Sequence, residues 1–210
     1  MILLINNSEK ALNRVKYNNV LFKKISKLVG KENVLVNNDD EMGKILSNKK
    51  LRKSIKGVIL SGSELRIREP NCLNKVMNNI LPLLELNVPV LGVCFGLQVL
   101  GVLYKSEFGS YKKLNKGKKL VNLDRRYRIF NNFDKQTSFY FEHYDYLKGS
   151  PLLSSMFNII ATDINAEIVY AIKHKTKHIY GVQFHPECDK NTENVYKNFL
   201  EICKIRVKKY

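Results

Sequence analysis

Leu91 to Gly101 reads LGVCFGLQVLG. An apolar run feeds into a cysteine that sits between two glycines, Gly92-Val93-Cys94-Phe95-Gly96, and a stretch of helical length follows. Val88 to Val93 has the apolar character of a strand buried on both faces, and Phe95 to Tyr104 reads as a helix. A strand passing directly into a helix is the repeating step of a parallel α/β sheet. Ligands of such sheets sit beyond the carboxyl ends of the strands, which is where Cys94 falls. Gly-x-Cys-x-Gly at that place has the form of a nucleophile elbow, with sulfur in place of oxygen. Flanking glycines let strand and helix approach closely, and the nucleophile is exposed at the top of the sheet. The free N–H groups at the start of the helix favour a thiolate and can hold an oxyanion. A cysteine at a buried strand end is also common as plain packing. The elbow by itself leaves both readings open.

The neighbouring stretches extend the same pattern. Met1 to Ile5, Asn33 to Val36 and Lys56 to Leu60 are short apolar strands, and Val20 to Val29 has helical spacing closed by Gly30. Asn71 to Leu84 reads as a helix with a kink or break at Pro82. Asn158 to Thr162, Ile168 to Ile172 and His178 to Phe184 are strand candidates, and Thr192 to Val207 is a closing helix. Phe108 to Leu123 is lysine-rich and loosely alternating, with a turn expected at Asn115-Lys116-Gly117, and suits antiparallel strands. The expected fold is α/β: an open, mostly parallel twisted sheet with helices on both faces, flavodoxin-like, plus a small antiparallel flank. There is neither an internal repeat nor a long linker, so residues 1–210 are expected to form a single domain.

Composition narrows the function classes. The chain has 210 residues, 44% hydrophobic, enough for one sizeable core. No apolar run is long enough to span a bilayer, and the start, MILLINNSEK, lacks the basic lead and long apolar core of a signal peptide. A cytoplasmic setting without a membrane partner is expected. The four cysteines, Cys72, Cys94, Cys188 and Cys203, form no CxxC pair, which points to reduced thiols rather than a zinc ribbon or disulfide framework. Outside Cys94 they are read as packing residues, and His174 and His178 as ordinary surface or strand residues. The net charge of +17 is spread along the chain without an RNP-type aromatic motif or zinc-finger spacing, so a lysine-rich solvated surface is preferred over a nucleic-acid partner.

Tyr180 to Glu187 reads YGVQFHPE. A thiolate nucleophile needs a base that accepts its proton and returns it to the leaving amine, and that base needs an orienting carboxylate. Pro186 is expected to keep the backbone extended, so that His185 and Glu187 face the same way.

With the Cys94 elbow and the His185-Pro186-Glu187 segment in one chain, the sequence resembles the class I glutamine amidotransferases, the Cys-His-Glu type. The resemblance covers essentially the whole chain. It includes the first strand, Gly57-Val58-Ile59-Leu60-Ser61-Gly62, the elbow with Gln98, and YGVQFHPE. Within the family the chain is most similar to the glutaminase domain or subunit of GMP synthetase, through Ser106 to Gly109 (SEFG) and Glu142 to Leu147 (EHYDYL). The resemblance implies that Cys94 attacks the carboxamide of L-glutamine, His185 moves the proton, and Glu187 orients the imidazole. It implies oxyanion donors at Phe95 and in the Gly62-Ser63 loop. It places Gln98, His143, Tyr144 and Asp145 around the amino-acid end of the substrate. It implies neither cofactor nor metal. The sequence carries neither an ATP-binding domain nor a P-loop, so the ammonia is expected to pass to a separate synthetase subunit.

The family's SGGP loop reads Ser61-Gly62-Ser63-Glu64 here. A serine forced to positive φ would cost about 1–2 kcal/mol. A misaimed oxyanion donor would cost about 10²–10³ in rate. Two other functions share these residues: a γ-glutamyl peptidase or hydrolase of the same fold, and a catalytically weak amidotransferase-like binding or regulatory protein. His143 follows Phe139-Tyr140-Phe141 and also fits a hydrogen-bonded core histidine.

Overall fold

The structure, a computed structural model, describes residues 1–7, 11–37, 42–69, 72, 77, 86–163, 165 and 168–207. Four short strands, β1 (Ile2–Ile5), β3 (Gly57–Leu60), β4 (Val90–Val93) and β9 (Ile179–Val182), are buried at every residue. With β2 (Val34–Asn37) they make a parallel array in the order β2-β1-β3-β4-β9. Helices cover both faces, which is why these strands are apolar at every position rather than at alternate ones. On one face Ile2, Leu4 and Ile59 share a core with Leu21 and Ile25 of α1 (Ala11–Val29) and with Val195 and Phe199 of α6 (Asn194–Ile202). On the other, Leu3, Ile5 and Leu60 share a core with Met42 and Ile45 of α2 (Met42–Ser47) and with Leu97 and Leu100 of α4 (Phe95–Leu103). The short α3 (Lys49–Ser54) is capped by Asn48, whose side chain accepts from the Leu51 N–H.

The rest of the sheet corrects the expected architecture. Beyond β9 the order continues through β8 (Ile168–His174), β6 (Gln136–Lys148), β5 (Phe108–Leu123) and β7 (Phe157–Thr162), and β7 pairs back onto β8. Among the described residues the sheet has five antiparallel pairings against four parallel ones. It is therefore mixed rather than mostly parallel, and its antiparallel part closes on itself rather than forming a small open flank. The helix α5 (Pro151–Met156), capped by Ser150, joins β6 to β7.

Two long strands account for the difference. No turn forms at Asn115-Lys116-Gly117: β5 runs straight through, with Gly117 at φ 116 opposite Phe141. Its irregularity is a bulge. Ser110 pairs with Asp145 and Asn115 pairs with His143, so residues 111–114 stand opposite Tyr144 alone. The sequence reading had no strand over Gln136–Lys148, yet the burial of β6 alternates residue by residue from Phe139 to Leu147.

Element ends shift by a few residues, as α6 shows: it stops at Ile202, and Lys204 follows at φ 56. The helix expected over Asn71 to Leu84, with its break at Pro82, lies outside the described residues except for Cys72 and Met77, both helical. Among the described residues no helix is long and apolar enough to cross a membrane.

Candidate active site

Strands β3, β4 and β9 are neighbours, so the segments leaving their carboxyl ends meet at one place. These segments begin at Ser61, Cys94 and Gln183. Cys94 has φ 52 and ψ −105, and its N–H donates to Val182 O at 2.7 Å. A left-handed cysteine costs about 1–2 kcal/mol, and the surrounding sheet holds it there. A Cβ on Gly92 would lie 2.5 Å from the Gly96 backbone, and one on Gly96 would lie 2.4 Å from Leu60 O. Both glycines are thus required for the close approach of strand and helix. Cys94 is 3% exposed and stands at the N-terminus of α4.

His185 is fixed from two sides. Its N–H donates to Tyr140 O of β6 at 2.8 Å, and the preceding Phe184 stacks on Phe139 with ring centroids 3.8 Å apart. The backbone does not stay extended after it. Pro186–Cys188 form a 3-10 turn closed by Cys188 N–H to His185 O at 3.1 Å. The turn still brings Glu187 Oε1 to 2.8 Å from His185 Nδ1, so the pair forms by a different route from the one expected. Tyr196 of α6 donates its hydroxyl to Glu187 Oε2 at 2.6 Å.

Burial works against a charged imidazole, but attraction to Cys94 and to Glu187, with hydrogen bonds to both, holds His185 well above its ordinary range. Burial likewise opposes the Glu187 carboxylate, and His185 and Tyr196 outweigh it and hold the carboxyl below its ordinary value. A Cβ on Gly62 would lie 3.0 Å from His185 Cε1 and 3.7 Å from Cys94 Cβ, so this loop glycine makes room for the imidazole.

A cavity of about 180 Å³ opens in front of Cys94. It contains Ser63, Phe95, Gln98, His143, Tyr144 and Asp145, which joins every expected pocket residue except Gly62. Gln98 donates its amide to Asp145 O at 2.6 Å and to Gln183 Oε1 at 3.3 Å, so its nitrogen braces the pocket wall. His143 is buried, with Nδ1 2.9 Å from Asp145 O and Nε2 2.8 Å from Asn115 Nδ2. The carbonyl can only accept, so Nδ1 carries the proton and Nε2 accepts from the amide. Burial pushes this ring down to about 4, and it is neutral.

Asp145 is 2% exposed. Ser110 holds its Oδ1, and its buried Oδ2 has no hydrogen-bond partner among the described residues. Arg66 lies 3.8 Å from that carboxylate and 4.6 Å above the Tyr144 ring, and its buried Nε also has no partner among the described residues. The two side chains form an ion pair beside one small cavity, and each keeps one buried polar atom, Arg66 Nε and Asp145 Oδ2, without a hydrogen-bond partner among the described residues.

Ser63 needs no left-handed backbone: its φ is not positive, and its hydroxyl accepts from Leu65 N–H while donating to Asn7 O at 2.8 Å. The strain considered for the Ser63-Glu64 loop is therefore absent at Ser63. Cys72 and Cys203 are buried as expected, whereas Cys188 is exposed rather than a packing residue. His178 is exposed, and His174 is a buried residue of β8.

The sequence reading missed Arg66, Gln183 and Tyr196. Gln183 lies inside the quoted YGVQFHPE run, is fully buried and donates to Cys94 Sγ at 3.5 Å. Tyr196 sits nine residues beyond Glu187, and only the fold brings it back. A wider cleft of about 460 Å³, between the end of β5 and β7, contains none of these residues.

Comparison with known proteins shows the family. The glutamine amidotransferase class-I family description matches residues 13–203. The glutamine-hydrolyzing GMP synthase subunit of Methanococcus aeolicus is 32% identical over 206 residues, covering 97% of each chain. The subunit of the same name from Methanocaldococcus jannaschii is 31% identical over 206 residues, again covering 97% of each. Among solved structures, a candidate GMP synthase subunit from Thermoplasma acidophilum matches with a TM-score of 0.76 at 22% identity, over 97% of this chain and 93% of that one, a likeness of fold.

Proposed function

The chain belongs to the class I glutamine amidotransferase family, and from that premise we propose that it hydrolyses the side-chain amide of L-glutamine and delivers the ammonia to a separate synthetase. The observation that carries the reading is the line Cys94, His185, Glu187 and Tyr196 beside a pocket whose Arg66–Asp145 ion pair leaves Arg66 Nε and Asp145 Oδ2 without hydrogen-bond partners among the described residues. Free glutamine presents an amide at one end and a zwitterion at the other. The Arg66 guanidinium suits its α-carboxylate and Asp145 Oδ2 its α-ammonium, leaving the amide towards Cys94.

In this mechanism Cys94 sulfur attacks the carboxamide carbon, and its proton rests on His185. The oxygen of the tetrahedral intermediate takes up the Phe95 N–H, which as the first helical amide has no partner within the helix. The Gly62-Ser63 loop supplies the second donor. His185 then passes its proton to the nitrogen, and ammonia leaves. A water, deprotonated by the same imidazole, cleaves the glutamyl thioester and releases glutamate. Glu187 holds the ring and balances its charge throughout.

The ATP-dependent subunit of GMP synthetase is the synthetase we favour. Relatives matching over 97% of both chains are named as one subunit of a GMP synthase, and GMP synthases of Clostridium tetani and Francisella philomiragia match over only 29% and 28% of their own length. The reading treats residues 1–210 as one domain. Cys94, Cys188 and Cys203 are free thiols, which fits a reducing, cytoplasmic setting.

The test is covalent labelling with a chloroketone analogue of glutamine, followed by mass mapping, alongside glutamate release with and without the synthetase. Labelling confined to Cys94 and release abolished in Cys94→Ala are expected. Labelling elsewhere, or release that survives Cys94→Ala, overturns the reading. Faster cleavage of γ-glutamyl peptides than of glutamine would assign the chain to the peptidase function instead.

A further inference from the structure

We propose that His185, Glu187 and Cys188 together form an inhibitory binding site for a thiophilic divalent cation of the Zn²⁺ type. Among the described residues they are the one group of three such side chains whose ligand atoms lie within 4.8 Å of one another. Cys188 has no part in the reaction described above, and it is exposed, whereas the His185 and Glu187 side chains are only 6% and 8% exposed. A cation therefore has a path from solvent through the thiol to the two inner ligands.

The ligand set selects the metal. Zinc holds sulfur at ~2.3 Å, imidazole nitrogen at ~2.0–2.1 Å and carboxylate oxygen at ~2.0–2.2 Å, so tetrahedral ligands stand roughly 3.3–3.7 Å apart. Drawing the three atoms to that spacing needs a movement on the order of 1 Å. Thiolate and imidazole exclude Mg²⁺ and Ca²⁺, which take oxygen. The support behind the first ligands is already built: Tyr196 holds Glu187 Oε2 at 2.6 Å and leaves Oε1 for the metal. A water would complete the fourth position.

On binding, Cys188 releases its thiol proton and the His185 imidazolium releases the proton on Nδ1, both to solvent. One S–metal, one N–metal and one O–metal bond form. The imidazole keeps its proton on Nε2 and can no longer accept one from Cys94. Hydrolysis stops while the cation is bound. This consequence rests on the function proposed above; the binding itself does not.

Calorimetry with Zn²⁺ on Cys94→Ala removes any contribution of the Cys94–His185 pair. One Zn²⁺ per chain is expected, with affinity reduced about tenfold or more in the Cys94→Ala/Cys188→Ser double variant. Co²⁺ substitution should give a sulfur-to-cobalt charge-transfer band that the double variant lacks. In the otherwise unaltered chain, Cys188→Ser should hydrolyse glutamine at the ordinary rate and resist Zn²⁺ inhibition. Equal Zn²⁺ affinity with and without Cys188, or equal inhibition of both proteins, overturns the site. Absence of glutamine hydrolysis in every protein would overturn the proposed function, and the calorimetry would still decide the cation site.

Discussion

Tyr196 donates its hydroxyl to Glu187 Oε2 at 2.6 Å, the oxygen that His185 does not use. Burial, together with the neighbouring carboxylate, pushes the Tyr196 phenol well above its ordinary range, so it stays a neutral donor. Tyr196→Phe leaves a buried carboxylate oxygen without that partner, at a cost of about 1–3 kcal/mol of stability. The loosened Glu187 should lower kcat for glutamine about tenfold, with KM little changed. Urea denaturation and steady-state kinetics check both.

Arg66 is assigned to the substrate carboxylate, and a charge-assisted contact of this kind is worth about 1.5–3 kcal/mol. Arg66→Ala should therefore raise KM for glutamine about tenfold to hundredfold with kcat nearly unchanged. The decisive comparison uses 4-aminobutanamide, which is glutamine without its carboxylate. The wild-type chain and Arg66→Ala should process it equally. An equal effect on both substrates would remove Arg66 from substrate recognition.

Gly62 and Gly96 separate chemistry from stability. A Cβ at Gly62 meets the far side of the imidazole at 3.0 Å, a contact that a small ring displacement relieves. Gly62→Ala should leave the unfolding midpoint almost unchanged and reduce kcat on the order of 10²-fold, because ring and nucleophile are misaligned. A Cβ at Gly96 meets the Leu60 backbone at 2.4 Å, and backbone does not yield. Gly96→Ala should destabilise the fold by about 1–3 kcal/mol or more.

His143 couples the pocket to pH. Its folded-state value of about 4 lies below the ordinary 6.5. As pH falls, the unfolded chain takes up this proton first, so the stabilisation is full above about 6.5 and drains away between 6.5 and about 4. The loss approaches roughly 3 kcal/mol. His143→Gln should flatten this part of the stability curve, read as urea midpoints from pH 7.5 to 4.5.

The parallel half and the Cys94 elbow were legible because buried strands are apolar without interruption and because two glycines bracket Cys94. The proposed triad was legible because its three residues lie in two short runs. Strand β6 was not, and the reason is physical. Its inward row reads Phe139, Phe141, His143, Asp145, Leu147, so the apolar alternation breaks where the strand lines the pocket. The lysines of β5 conceal its alternation, and Gly117 imitates a turn. Arg66 belongs to a loop with no periodic pattern, so only its unpartnered Nε reveals it.

The bulge of residues 111–114 has its own consequence. Cross-strand pairs clamp it on both sides, Ser110 to Asp145 and Asn115 to His143, and its last residue, Leu114, lies in the cavity wall at 40% exposure. Residues can be added or removed between the clamps without shifting the pairing of either strand. Cys94 and His185 follow β4 and β9, and the β6 residues that hold His185 in place, Phe139 and Tyr140, lie beyond the clamp opposite Lys119 and Lys118 of β5. On the proposed function, the chain carries an adjustable rim over a reaction centre held by other residues, and altered substrate choice can arise by lengthening or shortening one loop while the chemistry is conserved.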